Sequence, residues 1–220
     1  MGFLVTLKDE EDKDKEVFLE IAADYIIDGK LIAFPTNSVY ALGGDPQNSS
    51  LFKRVCRIKF RGPEEGFILL VSDIYEAKKV GMFNETAEKL ANKYWPGELT
   101  LVIEKKQPNI IPDEVTGSKE KIGLRVPENE TILRILEILK EKGHFGGIIG
   151  TSANYSGEDP STSGKEVART FLGPIDLIID GEESISKMPT TIVDCTTQKP
   201  EFLRIGKIPE DEILSYLKNQ

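Results

Sequence analysis

Histidine and cysteine are almost missing from this chain of 220 residues, which contains one histidine and two cysteines. Cys56 and Cys195 are far apart and form no CxxC pair. His144 follows a glycine at a predicted helix end, where a capping or half-buried position is expected. These residues argue against a zinc site and against a disulfide framework, and they favour a reducing compartment. We predict no metal ligands from the sequence.

Positive charge is outnumbered by negative charge, with 28 Lys and Arg against 37 Asp and Glu residues, and long apolar runs are missing. The formal net charge of -9 argues against non-specific coating of nucleic acid, because that binding relies on a positive field. A local basic pocket stays compatible with this charge. The N-terminal segment turns acidic early, and no later segment is long and apolar enough to span a bilayer. We therefore expect a soluble, cytoplasmic protein with no membrane partner.

The commonest phosphate-binding and hydrolase motifs are missing as well. The sequence contains neither GxxxxGK[ST] nor a GxGxxG linked to a strand. Its segment "GTSANYSG" is not the GxSxG turn of a serine hydrolase. A nucleotide would need another kind of site, and no catalytic triad is expected.

What the sequence does contain is an alternation of helix and strand patterns. The hydrophobic content of 39% suffices for a sizeable core, and no linker or repeat divides the chain, so we predict one α/β domain over 1–220. Helices are predicted over 13–28, 49–59, 85–95, 131–143 and 165–173 and from Pro209 onward, and strands over 31–34, 66–72, 99–105, 121–127, 146–152, 175–180, 190–194 and 201–204.

Two polar segments follow predicted buried strands. After the strand 31–34 the chain reads "PTNSVYALGG", which is typical of a lip that presents side chains at a sheet edge, or of an ordinary turn. After the strand 146–152 it reads "ANYSG", whose hydroxyl and amide groups can hydrogen-bond a polar ligand or their own backbone. Both alternatives stay open from composition alone.

Cations form a second group of candidates. Lys59 and Arg61 are two residues apart beside a predicted strand, so in an extended chain they would point the same way and suit a polyphosphate or carboxylate. Arg125 and Arg204 lie in otherwise apolar strands. A buried cation needs a partner, so each is expected to meet either a carboxylate or an anionic ligand.

Taken in order, "FPTNSVYALG", "KFR", "WPGELTLV", "IGLRVP", "TSANYSG", "TTIVD" and "LRIG" resemble the YrdC/TsaC family over a core of about 15–208. The resemblance implies a twisted, mixed open sheet with flanking helices, of the YrdC/RibB-like kind, around a concave basic cavity. It also implies a nucleotidyltransferase that joins L-threonine, bicarbonate and ATP into threonylcarbamoyl-AMP and pyrophosphate. Mg²⁺ is the expected helper ion. The implied partners are tRNA or double-stranded RNA and a downstream threonylcarbamoyl transferase.

The resemblance also assigns expected roles to ten residues. Catalysis and phosphate binding would fall to Lys59 and Arg61. The remaining ATP contacts would be Lys121, Asn154, Ser163 and Arg204, and the threonine contacts would be Ser38, Arg125, Ser152 and Thr190.

Several positions depart from the family pattern. Asn37, Ser38 and Ala41 stand where an acid, a threonine and a glycine are usual, and the loop after Arg61 carries Glu65 in place of an asparagine or histidine. These departures leave two alternatives: an RNA-binding module without chemistry, and a related enzyme that adenylates another small carbamoylated substrate. The "RVCRIK" and "NSVYALG" segments also resemble the YciO branch, although that branch tends to lose the "TSAN" present here.

Overall fold

The architecture is a mixed β-sheet with helices on both faces, as seen in a computed structural model that describes residues 2–7, 11–171, 174–181 and 188–219. The strands are β1 Phe3–Thr6, β2 Ile32–Phe34, β3 Ala41–Gly43, β4 Ile68–Val71, β5 Gly81–Met82, β6 Leu99–Lys105, β7 Lys121–Arg125, β8 Gly147–Ser152, β9 Leu177–Asp180, β10 Thr191–Asp194 and β11 Glu201–Arg204. The helices are α1 Asp12–Ile27, α2 Ser49–Lys59, α3 Ile74–Val80, α4 Glu85–Tyr94, α5 Asp113–Thr116, α6 Glu130–Glu141, α7 Gly164–Thr170 and α8 Glu210–Lys218, with a 3₁₀ turn at Pro63–Glu65.

The strand order is β1-β9-β2-β3-β8-β4-β7-β6-β10-β11, with β5 paired to β6 outside this path. Strands β1 and β2 run parallel to β9, β4 parallel to β7, and β6 parallel to β10. The pairs β2–β3, β3–β8, β4–β8 and β6–β7 are antiparallel. This pairing confirms the mixed sheet.

Side chains alternate across the sheet and fill two cores. In β2, Ile32 and Phe34 belong to one core with residues of α1 and α6, whereas Ala33 belongs to the other, with residues of α2, α4 and α8. This alternation is the period of two that a strand imposes, and it places helices on both sheet faces. Strands that are buried on both faces account for the continuous apolar runs of the sequence.

The predicted helices and strands are present with small shifts at their ends. Residues 172–173 of the helix predicted over 165–173 lie outside the described residues. The sequence prediction missed β1, β3, β5, α3 and α5, all of seven residues or fewer. Such elements are too short for periodicity to identify. None of the helices within the described ranges has the length and apolar character needed to cross a bilayer.

The extended arrangement predicted for Lys59 and Arg61 is wrong. Lys59 is the last residue of α2, and the following Phe60 has a left-handed backbone with φ of 53°. The helix therefore ends between the two cations, and they do not lie on one face of a strand. A bulky residue in this conformation is rare.

Tyr40 lies in the polar segment that follows β2, but its side chain stabilises the fold. Its side chain is fully buried, and its hydroxyl oxygen accepts a hydrogen bond of 3.0 Å from the backbone N–H of Gly181. Burial raises the pKa of Tyr40 to about 12, so the phenol stays neutral over the physiological range.

We expect Tyr40→Phe to lower the free energy of unfolding by about 1–3 kcal/mol, because the Gly181 N–H loses its acceptor. Denaturant titration measures this difference. Tyr75→Phe is the matched control, because Tyr75 is 78% exposed and the same deletion there leaves no buried donor. Equal stability of wild type and Tyr40→Phe would contradict a structural role for this hydroxyl.

Candidate active site

A cavity of about 700 Å³ opens on one face of the sheet. Alternate residues of three neighbouring strands contribute to its wall, including Ile68 and Leu70 of β4, Gly123 and Arg125 of β7, and Ser152 of β8. Alternate residues of a strand lie on the same side, so the cavity occupies a part of this face that α1 and α6 leave uncovered. Its size falls within the range of small-molecule sites.

Seven of the ten predicted site residues line this cavity: Ser38, Arg61, Lys121, Arg125, Ser152, Thr190 and Arg204. They come from separate parts of the chain, and four of them are cations. Lys59, Asn154 and Ser163 are not among the lining residues. The fold thus brings together most of the residues that the family resemblance selected.

Arg125 is the most deeply buried cation of the cavity, with 4% of its surface exposed. Its guanidinium donates to the carbonyl oxygen of Gly97 at 2.8 Å, to Ser38 Oγ at 3.2 Å and to Asn37 Oδ1 at 2.5 Å. Burial lowers the pKa of Arg125 to about 10, with Glu98 opposing and Arg204 adding to the effect. The group stays charged at neutral pH and is held by neutral oxygens.

Arg204 is fixed in a similar way on β11. Its Nε donates to the carbonyl oxygen of Thr190 at 2.9 Å, and its Nη2 lies 2.9 Å from Thr190 Oγ1. Thr190 Oγ1 lies 3.1 Å from Thr100 Oγ1. Burial lowers the pKa of Arg204. Thr190 therefore orients a cation at the cavity wall, whatever else it contacts.

Lys121 and Arg61 each have a carboxylate neighbour. Lys121 Nζ lies 2.7 Å from Asp194 Oδ2, and this hydrogen bond raises the pKa of Lys121. Arg61 Nε lies 2.8 Å from Glu65 Oε2, but its N–H is not directed at that oxygen and makes no hydrogen bond within the described part of the chain. The Arg61 guanidinium also lies 4.8 Å from the centre of the Phe67 ring.

Lys59 is buried behind the cavity wall, with 3% of its surface exposed. Its Nζ donates to the carbonyl oxygens of Ser152 at 2.5 Å and Asn154 at 2.7 Å. Burial, assisted by the charge of Arg61, lowers the pKa of Lys59 to about 8. In this arrangement Lys59 braces the end of β8.

Asn154 and Ser163 also bond to their own surroundings. Asn154 Nδ2 donates to the carbonyl oxygens of Tyr155 at 2.9 Å and Glu158 at 2.7 Å. Ser163 is the N-cap of α7, because its Oγ accepts from the Glu166 N–H at 3.2 Å. The nucleotide contacts expected of Asn154 and Ser163 stay predictions.

The sequence analysis missed several cavity residues, among them Thr36, Thr116, Phe67 and Asp159. Thr116 belongs to α5, a helix of four residues that periodicity does not signal. It lies beside Gly66, which has φ of 59° and where a Cβ would come within 2.2 Å of the Thr116 carbonyl oxygen. The glycine after Glu65 is thus required by close backbone approach.

Within the part of the chain that the structure describes, no group of three or more His, Cys, Asp or Glu residues could hold a metal ion. The carboxylates at the cavity wall are Glu65 and Asp159, and Glu65 already faces Arg61.

Comparisons with known proteins agree with this picture. Residues 24–206 match the family model Sua5/YciO/YrdC, described as telomere recombination. A threonylcarbamoyl-AMP synthase of Pyrococcus abyssi is 34% identical over 203 residues, which are 92% of this chain and 58% of that protein. A putative threonylcarbamoyl-AMP synthase of Methanocaldococcus jannaschii is 30% identical over 206 residues, 94% of each chain.

Among solved structures, P. abyssi Sua5 complexed with L-threonine superposes on this chain with a TM-score of 0.89 and 32% sequence identity. The superposition covers 98% of this chain and 61% of the Sua5 chain. This match confirms the predicted fold class. The chain spans about 60% of the length of the P. abyssi relative in both comparisons. With the family model matched over most of its length, the chain belongs to the Sua5/YciO/YrdC family.

Proposed function

We propose that this protein condenses L-threonine, bicarbonate and ATP into threonylcarbamoyl-AMP and pyrophosphate, for the threonylcarbamoyladenosine modification of tRNA. The observation that carries the proposal is the meeting of four cations and several hydroxyl groups in one cavity. The names of the relatives support it, as does the L-threonine bound to P. abyssi Sua5.

The threonine end of the cavity is assigned to Arg125, Ser38 and Ser152. A guanidinium binds a carboxylate through two parallel N–H donors, which gives orientation as well as affinity. The hydroxyl groups accept or donate hydrogen bonds without adding charge. Threonine bound in this way presents its amine toward the rest of the cavity.

The phosphate end is assigned to Arg61, Lys121 and Arg204. The threonine amine adds to the carbon of bicarbonate, and loss of water gives an N-carboxylate. An oxygen of that carboxylate attacks the α-phosphorus of ATP, and the bond from that phosphorus to the pyrophosphate oxygen breaks. Several anions must approach one another, and preorganised cations offset their repulsion where charge develops. Mg²⁺ accompanies the triphosphate as part of the substrate.

Positioning supplies the remaining rate enhancement. Holding reactants in a near-attack geometry is worth about 7 kcal/mol or more, so the reaction needs no covalent nucleophile on the protein. We place the protein in the cytoplasm as one unit over 1–220. Its product passes to a downstream threonylcarbamoyl transferase that acts on tRNA.

The test is pyrophosphate release with each component omitted in turn. We expect release only when ATP, bicarbonate and L-threonine are all present, and not when serine or valine replaces threonine. Release that is independent of the amino acid would contradict the proposed reaction. Release with another amino acid in place of threonine would identify a related adenylating enzyme.

Glu65 gives a prediction about the phosphate end. Its carboxylate lies beside Arg61 where a polyphosphate would bind, so ATP must compete with it. Because the Glu65 side chain is 51% exposed, this competition is weak, about 0.2–1 kcal/mol. We expect Glu65→Gln to tighten ATP binding about 2- to 5-fold in a calorimetric titration.

Glu64→Gln is the matched control for this change, because it removes the same charge from the neighbouring exposed residue. If both variants tighten ATP binding equally, the effect is one of net charge and not of the contact between Glu65 and Arg61.

A further inference from the structure

Phe60 lies at the end of α2, at a position where neither the backbone nor the core favours an aromatic side chain. Its backbone is left-handed, with φ of 53°, a conformation that glycine adopts at no steric cost. Its side chain is 81% exposed, so it buries little apolar surface. An aromatic residue that is unfavourable for folding on both counts indicates a role in binding.

Phe60 belongs to a group of neighbouring residues on the outside of the fold. Residues 53, 57 and 60 are four and three apart, so Lys53, Arg57 and Phe60 follow one face of α2 and its end. The Tyr155 ring lies beside Phe60, with 5.7 Å between the ring centres. We call these four residues the α2 patch. None of them lines the cavity described above.

The two rings of the α2 patch form a platform that is fixed in place. The hydroxyl of Tyr155 donates to the carbonyl oxygen of Thr170 at 3.2 Å, and its ring lies 4.8 Å from that of Phe171. The backbone N–H of Ser156 donates to the carbonyl oxygen at the end of α2 at 3.1 Å. Phe60 therefore stands against a held aromatic ring, with most of its own surface open to solvent.

Lys53 and Arg57 give the α2 patch free positive charge on a chain with a net charge of -9. Helix α2 contains no acidic residue. Arg54 is paired with a carboxylate, whereas Lys53 and Arg57 are exposed and make no ion pair within the described ranges. The Arg57 Nε–H donates only to the Lys53 carbonyl oxygen, at 3.4 Å. These two cations are available to an anionic partner.

We propose that the α2 patch binds a single-stranded segment of RNA, with a base stacked on Phe60 and backbone phosphates bound by Arg57 and Lys53. A nucleic acid strand supplies both complements at once, because every base has a flat face and every linkage carries a negative charge. A duplex keeps its bases inside, where Phe60 cannot reach them. An acidic peptide would meet the cations but offers no flat face to the rings. This inference goes beyond the proposed function and does not depend on it.

The test is to titrate the protein into a fluorescently labelled oligouridylate of about ten nucleotides and to follow anisotropy at several salt concentrations. We expect Phe60→Gly to weaken binding at least about 5-fold, while the melting temperature of the free protein does not fall, because glycine suits the left-handed backbone. Phe60→Tyr keeps a stacking ring and should bind close to wild type. Weaker binding without a loss of stability is a result that structural damage does not give.

Two controls are matched to these changes. Tyr75→Ala removes another exposed aromatic side chain, 78% exposed on α3, and should leave RNA binding unchanged. Lys53→Gln should weaken binding and reduce the slope of log affinity against log salt by about 0.7, the value for one phosphate contact with a single strand. Lys106→Gln removes the same charge from an exposed lysine outside the α2 patch and should change neither.

The titration contains no ATP or threonine, so its result is independent of the proposed reaction. Unchanged RNA affinity in Phe60→Gly would overturn the inference, as would equal losses in Lys53→Gln and Lys106→Gln. Binding of a duplex RNA of the same length as tightly as the oligouridylate would overturn the stacking arrangement. If the wild type binds polyglutamate and not the oligouridylate, the inference is wrong and the α2 patch serves an acidic protein.

Discussion

Replacing Arg125 by alanine is expected to reduce threonine-dependent pyrophosphate release by at least about 100-fold, which corresponds to about 3 kcal/mol of transition-state stabilisation. Arg125 is the buried guanidinium assigned to the threonine carboxylate, and a charge-assisted, bidentate contact of this kind is among the stronger hydrogen-bonded interactions. Most of the loss should appear in the KM for threonine, with the KM for ATP little changed.

If Arg125→Ala destabilises the fold, Arg125→Lys tests the same assignment with the charge retained. Lysine keeps the charge but cannot reach Asn37, Ser38 and the Gly97 carbonyl together, as the guanidinium does. We expect Arg125→Lys to remain folded, because the buried charge is kept, and still to lose most of its activity. Arg134→Ala is the control, because Arg134 pairs with Glu16 and Glu141 at the surface, away from the cavity. Full activity in Arg125→Lys would contradict the assignment.

The second large effect concerns Lys59 and Arg61, which the structure places in different surroundings. Lys59→Met should lower the free energy of unfolding by about 1–3 kcal/mol and reduce adenylate formation strongly, because the carbonyl oxygens of Ser152 and Asn154 lose their buried donor. Arg61→Ala should instead weaken ATP binding about 10-fold or more and leave the melting temperature within about 1 °C of wild type, since Arg61 lines the cavity. Melting and ATP titration of both variants check these expectations.

The pH dependence of the free energy of unfolding gives a second test of the role of Lys59. The pKa of Lys59 in the folded protein is about 8, below its ordinary value of 10.5. Between these values the unfolded chain binds more protons at Lys59 than the folded protein does, so the free energy of unfolding rises with pH. Lys59→Met lacks this contribution, and its stability deficit should therefore be larger at about pH 9.5 than at about pH 7. A deficit that shrinks as the pH rises would show that Lys59 is not the buried brace.

The family resemblance selects residues that meet at one cavity, but it does not show which of them face the cavity. Motif resemblance selected Lys59, Arg61, Ser152 and Asn154 as ligand contacts, yet only Arg61 and Ser152 line the cavity. The cause is the left-handed turn at Phe60, which no pattern of apolar residues predicts, since bulky residues rarely adopt it. That turn sends Lys59 to the backbone of β8 and Arg61 to the cavity.

The fold followed from the sequence where elements are long and periodic. Helix α6 and strand β6 appear close to their predicted positions, because each carries enough apolar residues to show its period. The short elements could not be predicted in this way. Strand β3 has three residues within the segment interpreted as a lip or a turn, and its role depends on pairing with β8, a strand more than a hundred residues away in the chain. Asn37 was noted only as a departure from a pattern, since its contact with Arg125 exists only once the sheet has formed.

The most direct test of the account is to incubate the protein with ATP, L-threonine and carbon-labelled bicarbonate, and to analyse the nucleotides by mass spectrometry. The account predicts a new adenylate with the mass of threonylcarbamoyl-AMP that carries the carbon label, and its loss in the Arg125→Lys variant. An adenylate that forms without the label, or no adenylate from a protein that binds both ATP and threonine, would contradict it.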